Sequence, residues 1–197
     1  MSTPATLRFE PEFPLLGIAA WSGTGKTTLL ETLLPLLRLR GLCVAVIKHA
    51  HHEFDVDQPG KDSHRLRVAG ASPMLVASRN RFALMMETPG QQEPDLAHLI
   101  HSLYSHEPDL ILVEGFKNWP IPKLALYRES VGSDQLVNQN GWIRAVASNC
   151  LDELALADDV ARLELDDISA IADWVAAWPA KWKQEISRGL TEDKPTR

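Results

Sequence analysis

Apolar residues in this chain fall into short continuous runs separated by longer stretches of mixed spacing, and the runs mark its strands. Leu15 to Ala20, Leu42 to Ile47 and Leu110 to Val113 are uninterrupted or nearly so. Runs of that kind predict strands of a parallel sheet covered on both faces. Between the first two, Lys26 to Arg40 predicts a helix, with Leu29, Leu30, Leu33, Leu34, Leu36 and Leu37 making it apolar around most of its circumference. Gly41 closes it, and Pro35 removes one of its hydrogen bonds and should kink it. Asp62 to Ala69 predicts a short helix capped by Asp62 or Ser63 and closed by Gly70. Met74 to Ser78 and Phe82 to Glu87, joined by Arg79-Asn80-Arg81, predict a hairpin. Asp95 to His106 predicts an amphipathic helix with Leu96, Leu99, Ile100 and Leu103 inward, which leaves His98, His101 and His106 at its surface or boundary. Lys123 to Tyr127 and Trp142 to Ser148 predict two more strands, and Asp166 to Trp178 a last helix with Ile168, Ile171, Ala172 and Val175 on one face. The pattern is that of an α/β fold: a mostly parallel sheet with helices on both faces and one β-hairpin insertion. Residues 1–13 read as a loose lead-in, 14–178 as the folded domain, and 179–197 as a charged tail, frayed from Lys181 onward.

Length and composition narrow this without redirecting it. The 197 residues suit one α/β domain with a sizeable core. No apolar run approaches the roughly 20 residues of a membrane span, and Met1 to Thr6 lack the basic start and apolar core of a secretory signal. No membrane association and a cytoplasmic location are therefore expected. Twenty Lys and Arg against 26 Asp and Glu give a net charge of −6, which argues against a nucleic-acid surface but allows a local basic pocket for a phosphorylated ligand. Cys43 and Cys150 each sit in an apolar run and are expected to be buried free thiols.

The chemistry starts at Ala20-Trp21-Ser22-Gly23-Thr24-Gly25-Lys26-Thr27-Thr28, between the first strand and the first helix. The phosphate-loop pattern G-x-x-x-x-G-K-[ST] needs that strand–turn–helix context, so that successive backbone N–H groups converge on a polyphosphate. Ser22, Gly23, Thr24, Gly25, Lys26, Thr27 and Thr28 are the phosphate-binding candidates. In that role Lys26 reaches the β- and γ-phosphates, the Thr27 hydroxyl ligates Mg²⁺, and the helix N-terminus adds its partial charge. Ala20 replaces the first glycine, at a position where a negative φ suffices. The loop alone does not separate ATP from GTP.

Two further segments belong to the same sheet edge. Lys48 to Ser63 follows the second strand, is dense in ionisable groups and lacks a period; ligands of open parallel sheets bind at that edge. Its Asp55 and Asp57 are candidates for a water-orienting or outer-shell carboxylate. Its three histidines, His49, His51 and His52, have no neighbouring cysteine and match no common zinc spacing. Arg79 and Arg81 at the hairpin tip are candidates for a phosphate clamp, or equally for ordinary surface arginines. The second segment, Asp109 to Lys117, ends an apolar strand in Glu114 followed by Gly115, which fits the strand that carries an acid to the nucleotide's Mg²⁺.

Taken together, the phosphate loop, Lys48-His49-Ala50-His51-His52, Asp55 to Ser63 and Val113-Glu114-Gly115-Phe116-Lys117 resemble the molybdopterin-guanine dinucleotide biosynthesis adapter family, MobB, over residues 14 to 178. The resemblance implies a P-loop NTPase-type fold and a GTP-binding homodimer. Such a protein assists the guanylyltransferase that attaches GMP to the molybdenum-bound molybdopterin cofactor. It also implies that Gly23 to Thr28 hold phosphates, Thr27 and Glu114 hold Mg²⁺, Gly115 contacts the nucleotide, and the Asp55 to Ser63 loop and Arg81 border the site. No Asn-Lys-x-Asp motif accounts for guanine recognition; Asn149 stands where related proteins read the base. Three function classes follow: a GTP-binding accessory protein with weak hydrolysis at most, a small-molecule kinase, and an ATP-driven metallochaperone or assembly protein.

Overall fold

The computed structural model describes residues 11–50, 54–131 and 141–189. Six parallel strands form the main sheet: β1 (Leu15–Ala19), β2 (Val44–Lys48), β5 (Leu110–Glu114), β6 (Lys123–Tyr127), β7 (Ile143–Ser148) and β8 (Ala161–Glu164), in the order β2-β5-β1-β6-β7-β8. The central strands β1, β5 and β6 are buried along almost their whole length, whereas β2, whose apolar run predicted cover on both faces, is an edge strand that buries only Ile47 and leaves Val46 exposed. Helix α1 (Lys26–Leu39) returns from β1 and buries Leu29, Leu30, Leu33 and Leu37; Pro35 lies inside it, and Gly41 at φ 85° follows its end. Helix α3 (Leu96–His101) buries Leu96 and Ile100, and the Asp95 side chain accepts from the N–H groups of Ala97 and His98. The predicted helix is shorter than expected, because after Ser102 the chain tightens into a 3₁₀ turn over Tyr104–His106.

At the far end, α4 (Ile168–Ala176) packs against α1, where Arg40 donates to Asp173 at 2.6 Å. The segment read as a frayed tail continues as α5 (Trp178–Gly189). Trp178, Trp182 and Ile186 recur at helical spacing; the two tryptophans are 1% and 3% exposed, and Trp178 Nε1 donates to the Leu15 carbonyl at 2.8 Å. Core packing extends the helix, with Pro179 tolerated in its first turn. The connection from β5 to β6 is short and runs over β1. A Cβ on Gly17 would stand 2.9 Å from Lys123 Cγ, so only glycine lets it pass.

Residues 50–94 form a separate compact unit. It holds α2 (Asp62–Val68) and the antiparallel hairpin of β3 (Met74–Ala77) and β4 (Phe82–Met85). Neither Asp62 nor Ser63 caps α2; Lys61 stands at its N-cap without a side-chain hydrogen bond, and the Ser63 hydroxyl donates instead to Asp57 at 2.7 Å. No described residue of this unit is fully buried. The cysteines correct another expectation: both are free thiols, but Cys43 is exposed because it precedes β2, and Cys150 is half-buried in the turn after β7.

Candidate functional site

The site begins where β1 ends. Thr24 is 2% exposed; its hydroxyl donates to the Trp21 carbonyl at 2.9 Å, so this side chain closes the loop from inside. Gly23 and Gly25 take φ values of 82° and 98°, in the left-handed region that favours glycine. Ala20 is buried and has no such φ, so its methyl brings no backbone strain. Lys26 Nζ folds back over the turn and donates to the carbonyls of Ala20 at 3.2 Å and Trp21 at 3.0 Å. Helix α1 starts from Gly25 with no side-chain cap, which leaves its first-turn N–H groups for another acceptor. A Cβ on Gly25 would meet nothing within 4 Å, and Ser22, Thr27 and Thr28 are exposed. An open cradle of this kind suits a polyphosphate.

On the neighbouring strand, Glu114 pairs with Ile18 on one side and Lys48 on the other. Its side chain is 12% exposed, with Lys48 Nζ at 3.3 Å from its Oε2. One well-shielded carboxylate on the strand next to a phosphate loop fits the donor set of Mg²⁺, which takes one or two carboxylates, phosphate oxygens and water. Among the described residues, no three His, Cys, Asp or Glu side chains gather as a protein-only metal site would require.

After Glu114 the chain turns through two left-handed residues, Gly115 at φ 92° and Phe116 at φ 50°. A Cβ at Gly115 would lie 2.5 Å from His49 Cβ, so glycine is required by the close approach of the β2 end. His49 donates its N–H to the Glu114 carbonyl at 2.9 Å and stacks its ring on Phe116, with centroids 4.8 Å apart. The turn brings Lys117 to the phosphate loop, its Nζ 5.2 Å from the centroid of the Trp21 ring. Burial holds the Lys26 ammonium below the usual lysine range; Lys117 and Lys48 push it the same way and Glu114 opposes them. Three lysines around one carboxylate leave this edge with a positive field that favours an anionic ligand.

Arg128, at the end of β6, donates from Nε to the Thr24 carbonyl at 3.2 Å and braces the loop from the other side. The sequence pattern gives no role to Arg128, and none to Lys117 beyond its place in the Val113 to Lys117 run, although each follows a strand end at the edge where ligands bind. Asn149 is exposed at the end of β7, on that same edge.

Within the first unit the structure thus assembles Ser22 to Thr28, Glu114 and Gly115. Asp55, Asp57, Arg79 and Arg81 lie in the second. There Arg67 is the hub: it pairs with Asp55, with Glu87 at 2.9 Å and, more loosely, with Asp57 at 3.7 Å. The Asp57 N–H and then Arg67 hold the Asp55 carboxyl below its usual range against the effect of burial, and Glu87 and Asp55 raise the Arg67 guanidinium. Arg79 and Arg81 are exposed at the hairpin tip. His51 and His52 lie outside the described residues, as do most of the lead-in and the tail from residue 190.

The family model of molybdopterin guanine dinucleotide synthesis protein B matches residues 15–149. An Escherichia coli protein called molybdopterin-guanine dinucleotide biosynthesis adapter protein is 49% identical over 170 residues, covering 85% of this chain and 94% of its own. A Haemophilus influenzae protein of the same name is 42% identical over 167 residues, covering 85% and 90%. Among solved structures, that of Bacillus subtilis MobB superposes with a TM-score of 0.67 at 25% identity, over 84% of this chain and 98% of that one.

Proposed function

From the premise that this chain belongs to the molybdopterin guanine dinucleotide synthesis protein B family, we propose that it is a GTP-binding adapter. It serves the guanylyltransferase that joins GMP to molybdopterin. The observation that carries the nucleotide part is the pairing of Ile18 with Glu114, which sets a shielded carboxylate beside the open loop of Gly23 to Thr28. In this reading the backbone of Ser22 to Thr28 receives the phosphates, Lys26 neutralises the β- and γ-groups, and Thr27 and Glu114 hold Mg²⁺. Gly115 lines the nucleotide.

The metal supplies charge neutralisation on the phosphates. The chain's own contribution is orientation: Thr24 and Arg128 hold the loop, and Lys48 balances the Glu114 carboxylate that would hold the ion. Asp55 and Asp57 are the proposed water-orienting carboxylates. To act so, they must first exchange the Arg67, Ser63 and backbone partners that now occupy them, which is a physical reason for slow hydrolysis and for a role as adapter.

The reading also has the protein acting in the cytoplasm as a homodimer. No helix of the described residues is long and apolar enough to cross a membrane. For a second copy, the support is the second unit, which exposes Leu75, Phe82 and Leu84 by more than half. A lone two-stranded sheet is marginal in water and gains stability when further strands or an apolar face cover it. Equilibrium titration with GTP and ATP in Mg²⁺ tests the function. Tighter binding of GTP is expected, and equal affinities would remove guanine nucleotide from the account.

A further inference from the structure

We propose that Lys117 is a second phosphate-binding cation of this site, supplied by the turn after β5, and that it meets the terminal phosphate of a bound nucleoside triphosphate. This rests on the reading of the loop as a triphosphate site. The phosphate chain must run along the loop from the first turn of α1, at Thr27 and Thr28, toward the end where Lys26 Nζ lies over the Ala20 and Trp21 carbonyls. Because that lysine serves the β- and γ-phosphates, Trp21 marks the γ end. Lys117 is the cation held over Trp21, at 5.2 Å from its ring centroid.

The backbone that puts it there is constrained. Phe116 has a φ of 50°, uncommon for a bulky residue, and Gly115 a φ of 92° with no room for a Cβ. A left-handed aromatic residue is strained and persists only where its surroundings hold it. Here the holding groups are visible: Phe116 is 6% exposed, stacked on His49 and set edge-on to Trp119 at 6.3 Å. An extended residue at 116 would carry Lys117 elsewhere. Trp21, 39% exposed, gives the ammonium an aromatic face to rest on. A phosphate dianion outcompetes an indole face for an ammonium, since a charge-assisted hydrogen bond is much stronger than an exposed cation–π contact. Lys117 therefore exchanges Trp21 for phosphate when the triphosphate binds. Lys48 does not take this part, because it faces the Glu114 carboxylate.

Calorimetric titration of the full chain with GTP and GDP in Mg²⁺ tests this, using wild type, Lys117→Met, Lys117→Arg and Lys26→Ala. Lys117→Met is expected to weaken GTP about tenfold and GDP less than about twofold, and Lys117→Arg to stay within about threefold of wild type for both. Lys117 is exposed, so the ligand-free melting temperature of Lys117→Met should match wild type. Unchanged GTP affinity in Lys117→Met, or equal losses for GTP and GDP, would overturn the proposal. If Lys26→Ala then still weakens GTP, the phosphate site itself stands. A wild-type chain that binds neither nucleotide would overturn both.

Discussion

Two lysines show how the same side chain is used in opposite ways. Lys26 reaches over an open loop, and its ammonium is placed for an anionic ligand. Lys26→Ala should therefore weaken GTP by about tenfold or more while changing GMP by about twofold or less, since the α-phosphate end of the loop lies beyond its reach; parallel titrations with GTP, GDP and GMP measure this. Lys123 is 1% exposed and donates to the carbonyls of Trp119 at 2.6 Å and Ile121 at 2.9 Å, pinning the crossover above Gly17. Burial, with Arg144 adding to it, pushes its ammonium down from 10.5 to about 8. Between those two values the unfolded chain holds a proton that the folded chain has released, so stability rises with pH across the window. Urea unfolding of wild type at pH 7.5 to 10.5 should show that rise, and Lys123→Met should flatten it. A wild-type profile that stays flat over the same range would mean that the fold does not disfavour the ammonium where it sits.

Among the elements, those with unbroken apolar runs were legible from sequence, because a strand buried on both faces admits little else. That holds for β1 and β5; β2 carries the same kind of run at the sheet edge, where one face is only half covered, and the phosphate loop is legible for a related reason, since each of its residue types has one physical task. The edge strand β8 was not, because Ala161-Arg162-Leu163-Glu164 alternates over only four residues and carries an arginine and a glutamate. Helix α5 was missed for another reason: Pro179 and the lysines at 181 and 183 gave the segment a tail-like composition, and the spacing of Trp178, Trp182 and Ile186 carried the signal instead. Trp178→Ala should lower stability by about 3–5 kcal/mol, with α5 loosened from the sheet; denaturant unfolding followed by near-ultraviolet circular dichroism measures it. For the hairpin, Leu84 is exposed on β4, so a charge there leaves the unit's few internal contacts in place. Leu84→Lys should shift sedimentation from dimer to monomer, and an unchanged distribution would put the dimer contact elsewhere.

At the scale of the molecule, the sheet order places two successive devices side by side: the loop after β1 and the acid at the end of β5. Sequence alone told that both exist. That they are adjacent follows from topology, because β5 inserts beside β1 ahead of β2. What sequence did not reveal were the supports, Arg128 on the Thr24 carbonyl and Lys117 over Trp21, since neither belongs to the loop's own motif. Hydrolysis needs water orientation and a preorganised cation, and an arginine finger alone contributes about 10³–10⁵ in rate. With Asp55 and Asp57 tied to partners in their own unit, the isolated protein should turn over GTP slowly in a single-turnover assay and faster once the guanylyltransferase is added. Brisk hydrolysis without a partner would mark a self-sufficient NTPase.

The account depends most on a Mg²⁺–triphosphate held between Thr27 and Glu114. Its most direct test is equilibrium titration of GTP into wild type and Glu114→Gln, each in Mg²⁺ and in EDTA. A loss of affinity in Glu114→Gln that is present in Mg²⁺ and absent in EDTA is the predicted result. Identical behaviour of the two proteins in both buffers would contradict it, leaving Glu114 as a strand-end glutamate paired to Lys48.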